Sequence, residues 1–456
     1  MFGEAPNTAP EAGALPKPES QLSRRRFIGA AAATLAAPMF IPARALGLDG
    51  TTAPSNRIAL GVIGCGGMGG SNTNSFLALP ECHVVAACDV DKKHLNTLVQ
   101  RVNKKYGDQG CKPYHDFREL LAREDIDSVM IAVPDHWHEV AAVEAARRKK
   151  DIYGEKPLAR TIAEQQAIVK AVEENGRIWQ TGSWQRSVAN FHKAAEIVRN
   201  GLIGTVKRIE VGLPQGYNNA ENTERDHMTV IEPPPELDYD FWIGPSKMMP
   251  YIPARIHRHW RWNYNTGGGQ LMDWVGHHCD IAHWGCDFDN SGPHEVTGHG
   301  VFPPKGGVYD AAKTYRIELE YPRGIHMTIA GGYDDIKSGT KWFGTGGWVH
   351  VDRGEFSASN AEWRDYKELP EELRKIKLCK SDNHHRNFLE CVKSRQPTIT
   401  PAKTAHHSAI PGHLGLISML LDGRTLKWDV ATERILNDDE AAKMQGRDFR
   451  PPWKLG

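Results

Sequence analysis

The 456-residue chain holds 56 Lys and Arg against 56 Asp and Glu, with 40% hydrophobic and 25% charged residues. That composition is ordinary for a globular protein, and the length exceeds what one hydrophobic core spans, so two domains plus extensions are expected. A formal net charge of zero gives no field to hold a polyanion or an anionic membrane, which excludes nucleic acid as an expected partner.

Residues 1–45 read as a targeting segment rather than as part of the fold. Pro and Ala interrupt them until Ser23-Arg24-Arg25-Arg26-Phe27-Ile28, which is followed by a small-residue apolar run from Gly29 to Ile41 and then by Ala43-Arg44-Ala45. The pattern resembles a twin-arginine export signal with an A-x-A cleavage site, which implies a mature start near Leu46 and a periplasmic or otherwise exported location. A run of ~13 residues falls short of the ~20 that cross a bilayer, so no stable membrane anchor is expected. The eight cysteines (65, 82, 88, 111, 279, 286, 379 and 391) show no CxxC pair and no zinc-like spacing, and most are expected to be buried thiols.

Residues 46–56, ending in Ala53-Pro54-Ser55-Asn56, read as a linker, and the fold is expected to begin at the strand Ile58 to Ile63. From there the patterns alternate. Strands are expected at His83 to Cys88, Asp127 to Val133 and Asp151 to Tyr153, and helices at Lys92 to Val102, Val140 to Arg148 and Thr161 to Asn175. Such alternation predicts a parallel sheet with helices on both faces. Beyond about residue 180, strands such as Val206 to Val211 and Tyr315 to Tyr321 are joined by Gly-, Pro- and Trp-rich connections, which predicts an α+β region with a large, mostly antiparallel sheet. Twelve of the 13 tryptophans lie beyond residue 178. Their flat faces suit the C–H faces of sugars, although any single one is more simply a core residue.

Gly64-Cys65-Gly66-Gly67-Met68-Gly69 follows the first strand directly and opens a helical stretch, the context a dinucleotide-binding GxGxxG needs. The first glycine makes the tight turn, the second admits a pyrophosphate, the third lets helix and strand pack, and the helix N-terminus offers free N–H groups to phosphate. The second strand ends in Asp89, 20 residues past Gly69, where an acid binds the adenosine ribose hydroxyls. A carboxylate there repels a 2′-phosphate, and Asp91 adds to the repulsion, so NAD is expected over NADP. The expected fold is therefore α/β: a Rossmann domain at 57–182, then a substrate-binding α+β domain at 183–456.

Three further segments fall where the cofactor and substrate should meet. Strand ends carry Pro134-Asp135-His136-Trp137-His138 and Gly154-Glu155-Lys156-Pro157, and ligands of open α/β sheets bind outside such ends. Pro134, His136, His138, Glu155 and Lys156 are thus expected to face the cofactor. The third segment, Gly267 to Trp284, read as a helix, puts Asp273, His277, Asp280 and Trp284 within about 60° of one another, opposite a stripe of Leu271, Val275, Cys279 and Ala282. One face is expected to be core and the other chemistry, with His277 favoured over His278. Gln180, Gln185 and Arg186 are expected either to hydrogen-bond substrate or to pair structurally. No metal is expected, because His257, His259, His277, Asp280 and His283 lack the fixed spacing of a zinc helix.

On the GxGxxG loop, the Glu155-Lys156-Pro157 loop and the Gly-rich Asp273…His277 helix, the chain resembles the Gfo/Idh/MocA family of glucose–fructose oxidoreductase and inositol dehydrogenase. The resemblance implies hydride transfer at a sugar or cyclitol carbon, with Lys156, Asp273 and His277 as the catalytic group. His277 would exchange the hydroxyl proton, Lys156 would hold and polarise that oxygen, and Asp273 would orient the substrate. His278 beside His277 departs from the pattern. The expected partner is a small sugar or glycoside, and association into a homo-oligomer through the C-terminal sheet is expected. Export to a compartment with little free NAD favours a tightly held cofactor. Such a cofactor must be regenerated within each cycle, which points to coupled oxidation and reduction of two sugars or to redox-neutral glycoside cleavage, in which transient oxidation at C3 acidifies the adjacent C–H. A third class is non-catalytic sugar sensing, against which the presence of both Lys156 and His277 argues.

Overall fold

The computed structural model describes residues 52–216 and 228–456, so the twin-arginine segment lies outside the described residues. Six strands, β1 (Ile58–Ile63), β2 (Cys82–Cys88), β3 (Lys112–Tyr114), β4 (Ser128–Ile131), β5 (Asp151–Gly154) and β6 (Trp179–Thr181), form a sheet in the order 3-2-1-4-5-6. Every pair in it is parallel. This is the doubly wound order in which the strand sequence reverses between β1 and β4, opening a crevice at their carboxyl ends. The expected strands all form; β3 and β6, three residues each, are too short to leave a periodic signal.

Helices of ten or more residues are numbered α1 (Gly67–Leu77), α2 (Lys92–Tyr106), α3 (His138–Arg147), α4 (Ile162–Glu174), α5 (Ala189–Arg199), α6 (Gly269–Cys286), α7 (His384–Ser394) and α8 (Ala402–Leu420). Local chemistry sets their starts. Asp91 caps α2 by accepting from the N–H groups of Lys93 and His94, and Thr161 caps α4 by accepting from Glu164 N–H. Gly107 at φ 74 ends α2 in the left-handed conformation that favours glycine.

The second sheet has nine strands in the order 13-12-11-7-10-9-8-14-15. They are β7 (Val206–Leu213), β8 (Glu295–Val301), β9 (Thr314–Tyr321), β10 (Ile325–Gly331), β11 (Gly339–Gly344), β12 (Gly347–Asp352), β13 (Glu355–Ala358), β14 (Leu426–Asp429) and β15 (Arg434–Leu436). Pairing is antiparallel except between β10 and β7. Strand β9 alternates strictly, with Tyr315, Ile317, Leu319 and Tyr321 buried under α6 and α8 and with Thr314, Arg316, Glu318 and Glu320 on the outer face. Trp342 of β11 is fully buried and donates its indole N–H to the Ala282 carbonyl of α6. Truncating a Trp in such a place costs about 3–5 kcal/mol, so this contact does much to lock α6 onto the sheet.

Packing does not follow chain order. Helix α7 returns to the nucleotide sheet, where Phe388 and Leu389 join the core around Leu60 and Val62. Helix α8 bridges both cores, contributing Ala402 and Ala405 to one and Ala409, Ile410 and Leu414 to the other. Asn56–Gly456 accordingly forms one compact unit. Seven of the eight cysteines are buried and all are free thiols, with Cys379 alone exposed.

Candidate active site

The glycine loop is built by contact distances. Gly64 turns at φ 92, and a Cβ there would lie 2.4 Å from the Ala132 carbonyl; a Cβ on Gly69 would lie 1.9 Å from the Gly64 carbonyl. Neither position admits a side chain. Gly67, by contrast, faces open space, and a Cβ on Gly66 would meet only the His94 ring at 3.9 Å. Gly66 caps α1 without any side-chain partner, which leaves the first N–H groups of the helix free to meet a phosphate. Gly64, Gly66, Gly67, Met68, Asp89, Pro134, Glu155, Lys156 and Asp273 all line one cavity of about 980 Å³, and Gly69 packs behind it.

Asp89 holds the loop as well as the cavity wall. Its Oδ2 accepts from Cys65 N–H at 2.7 Å and its Oδ1 from Asp91 N–H at 2.8 Å. Burial pushes its carboxyl above the usual range, while those N–H bonds pull it back. An anchored carboxylate at the end of β2, an uncapped helix terminus and two glycines open to the cavity fit a dinucleotide.

The opposite wall comes from β5 and α6. Lys156, joined to Pro157 by a cis peptide bond, donates from Nζ to the Asp273 carbonyl at 2.7 Å and to Asp273 Oδ1 at 2.8 Å. Arg261 donates from Nε to the same Oδ1 at 2.8 Å. Burial alone would push the Asp273 carboxyl up, but the Lys156 and Arg261 cations overcome it and hold the group ionised, well below the usual carboxylate range. Asp135, on the wall beside them, is pushed up to about 7, because burial outweighs Arg261, and its Oδ1 has no hydrogen-bond partner. Two carboxyl groups at one site are thus pushed in opposite directions, Asp273 held ionised and Asp135 able to keep a proton up to about neutrality.

His277 lies one helical turn beyond Asp273 and is 5% exposed; it does not line the cavity. Its ring packs edge-on against Trp274 and Trp184, with centroids 5.7 and 6.4 Å away. Burial, reinforced by the Lys156 and Arg353 cations, holds the imidazole well below its ordinary value, so it is neutral, and its Nδ1 has no hydrogen-bond partner.

Other expected site residues turn away from the cavity. His136 is fully buried, with its ring nitrogens against the Thr266 and Trp242 carbonyls. His138 faces the Pro157 and Val133 carbonyls in the same way. Both tie the loop down instead of meeting a cofactor. Gln185 contacts His278 Nδ1 at 3.2 Å inside the core. Arg186, 2% exposed, forks onto Asp280 and Asp289 with contacts of 2.7 to 2.9 Å, so of its two readings the structural one holds. Helix α6 is also buried on nearly every side: Asp280 pairs with Arg186, and His283 meets the Tyr321 hydroxyl. The division into a core face and a chemical face therefore fails, because the helix is sandwiched between the sheet, α5 and α8. Sequence reasoning missed Arg261 and Asp135. Arg261 sits in the irregular His257–Trp262 turn, which carries no periodicity, whereas Asp135 lay in a loop already singled out for its histidines.

Residues 58–183 match the oxidoreductase family NAD-binding Rossmann fold, and residues 187–455 match the oxidoreductase family C-terminal alpha/beta domain. An inositol 2-dehydrogenase of Rubrobacter xylanophilus is 31% identical over 152 residues, 33% of this chain and 42% of that protein. A glycosyl hydrolase family 109 protein of Solibacter usitatus is 33% identical over 131 residues, 27% of this chain and 30% of that protein. These matches span less than half of either relative. The fold is shared with an aldose-aldose oxidoreductase of Caulobacter crescentus, crystallised with glycerol, at a TM-score of 0.58 and 18% identity, covering 81% of this chain and 99% of that one. The two family matches, taken with the cradle on β1 and α1, place this chain in the Gfo/Idh/MocA oxidoreductase family, with NAD as its cofactor.

Proposed function

We propose that the protein oxidises a secondary hydroxyl of a sugar, glycoside or cyclitol, using tightly held NAD. The observation that carries this reading is Lys156, pinned by Asp273 in the wall of the cavity that the glycine loop floors. Bound NAD supplies the hydride acceptor. The protein must then take the hydroxyl proton, which requires a base close by. Lys156 binds and polarises the hydroxyl oxygen, Asp273 fixes the direction of the ammonium, and neutral His277, buried behind the cavity wall with Nδ1 unengaged, is the group this reading assigns as proton acceptor. Export through the twin-arginine motif of residues 23–28 belongs to the same proposal, because that route carries folded, cofactor-loaded proteins.

A second reading is redox-neutral glycoside cleavage, favoured by the likeness to a glycosyl hydrolase family 109 protein and by the presence of Asp135, a carboxyl pushed up to about 7 that can hold a proton near neutrality. The test is to incubate the purified protein with a panel of sugars, glycosides and cyclitols and to follow both reduced nicotinamide and released sugar. Net reduction of NAD supports the dehydrogenase, and release of sugar without net reduction supports cleavage. Tight sugar binding with neither outcome would overturn both in favour of a sensor.

A further inference from the structure

Outside the cavity wall, His406 and His407 of α8 meet Glu433 from the turn between β14 and β15. Nε2 of His406 lies 3.1 Å and Nε2 of His407 3.2 Å from the two carboxylate oxygens of Glu433. Both rings are buried, and the Glu433 side chain is 25% exposed.

The other nitrogen of each ring decides what the cluster is. His407 Nδ1 faces the backbone carbonyl of Asp289 at 2.6 Å, and His406 Nδ1 faces Gln165 Oε1 at 2.8 Å. A backbone carbonyl only accepts, so Nδ1 of His407 carries the proton, whatever the orientation of any side-chain amide. In a neutral ring that leaves Nε2 as a lone pair. With Nδ1 of His406 donating to Gln165 Oε1, a second lone pair converges on the same carboxylate, which also only accepts, so the His407 Nε2 contact with Glu433 Oε1 needs either a second proton on the ring or a cation between them. His406 Nε2 makes no hydrogen bond despite its short distance from Glu433. Electron-pair donors crowded this closely repel unless a positive charge lies among them.

We propose that His406, His407 and Glu433 form a structural site for a divalent first-row cation of the zinc class. Two imidazole nitrogens and one carboxylate oxygen, completed by water, are a ligand set that zinc accepts. Bonds of about 2.0–2.1 Å in a tetrahedron put neighbouring ligand atoms about 3.3–3.4 Å apart, close to the two nitrogen–oxygen separations seen here, and all the ligand atoms lie within 4.8 Å of one another. The Asp289 carbonyl and Gln165 amide supply the outer contacts that fix the tautomer of a ligating histidine. Gln166 donates to Glu433 Oε2 at 3.1 Å and steadies the third ligand. The partly exposed carboxylate leaves a path for entry. A bound ion would staple three elements together: α8, the β14–β15 turn and, through Gln165 and Gln166, helix α4. None of the three ligands lines the cofactor cavity. The site escapes a search by spacing because its histidines are adjacent and the carboxylate follows 26 residues later.

The test uses the untagged full-length protein, stripped with a chelator, dialysed and titrated with Zn²⁺ alone. Metal content is read by inductively coupled plasma mass spectrometry and stability by thermal unfolding. Wild type should retain one ion per chain through gel filtration and unfold at a higher temperature when loaded. His407→Ala and the near-isosteric Glu433→Gln should bind Zn²⁺ at least ~10-fold more weakly and lose the thermal response. Failure of the wild type to retain Zn²⁺ would overturn the proposal and mark the cluster as an imidazolium–carboxylate pair. Undiminished binding in folded Glu433→Gln would overturn it as well, by placing the ion elsewhere.

Discussion

The Lys156 ammonium donates to both the backbone carbonyl and the carboxylate of Asp273, residues 117 apart in sequence, at 2.7 and 2.8 Å. The double contact removes rotational freedom from a long side chain, and Arg261, on the same carboxylate oxygen, prevents Asp273 from following any other partner. A preorganised cation of this kind stabilises negative charge on a reacting oxygen without having to reorganise as the charge develops.

If Lys156 and His277 act on one proton, Lys156→Ala and His277→Ala should each lower turnover by ~10²-fold or more. The double variant should lose less than the product of the two, because groups sharing a step are not additive. His278→Ala, whose ring faces Gln185 and Asp352, should keep the rate of the chemical step while lowering stability. Single-turnover absorbance of reduced nicotinamide checks all four, and wild-type rates in both single variants would remove the pair from the mechanism.

Asp89→Ala should weaken NAD binding and narrow discrimination against NADP, since the carboxylate is lost both as a ribose acceptor and as the anchor of Cys65 N–H. Calorimetric titration with each cofactor measures this. An unchanged ratio of affinities would show that the preference resides elsewhere.

Arg186→Ala should destabilise the fold by about 3–5 kcal/mol, because it leaves Asp280 buried without its partner. The Michaelis constant of the surviving folded enzyme should stay near wild type. Urea unfolding gives the first quantity and steady-state kinetics the second; a stable variant with weakened substrate binding would restore Arg186 to the substrate site.

Stability should fall as the pH drops below about 6.5. Burial holds His136, His283, His384 and His413 down to about 3, so the unfolded chain takes up protons there that the folded chain refuses. Each such group contributes stability that is fully present above its unfolded value and is lost, at about 1.4 kcal/mol per pH unit, as the pH falls towards its folded value. Asp135 and Glu139, pushed up to about 7, act in the opposite sense, because the folded chain keeps their protons between about 7 and the unfolded carboxylate range. The histidines outnumber them, so urea midpoints should decrease from pH 6.5 to 5; a rise over that interval would show that the carboxyls dominate.

Arg24→Lys combined with Arg25→Lys should leave the precursor in the cytoplasm, because the signal is receptor-read and ammonium groups do not replace paired guanidiniums. Fractionation with immunoblotting reports the outcome, and normal export of the doubly substituted chain would dispose of the twin-arginine assignment.

Local physics determined strands β1, β2, β4 and β5 of the nucleotide sheet, because each of those βα units carries its own periodicity and Gly64, Gly69 and Asp89 occupy positions whose spacing the turn geometry dictates, whereas the three-residue β3 and β6 leave no such signal. The family resemblance, carried by a loop at a strand end and a glycine-led helix, pointed to Lys156 and Asp273, which the structure joins by hydrogen bonds. Tertiary structure decided which polar side chains of those segments meet the cavity. His136, His138, Gln185 and Arg186 have the same local appearance as true site residues, yet each is claimed by a buried partner from a distant element. Helical phase could not separate the faces of α6, since a helix covered on nearly every side has no solvent face for amphipathicity to record. Arg261 and the convergence of His406 and His407 on Glu433 were equally invisible, because Arg261 and Glu433 sit in turns whose positions only long-range packing sets.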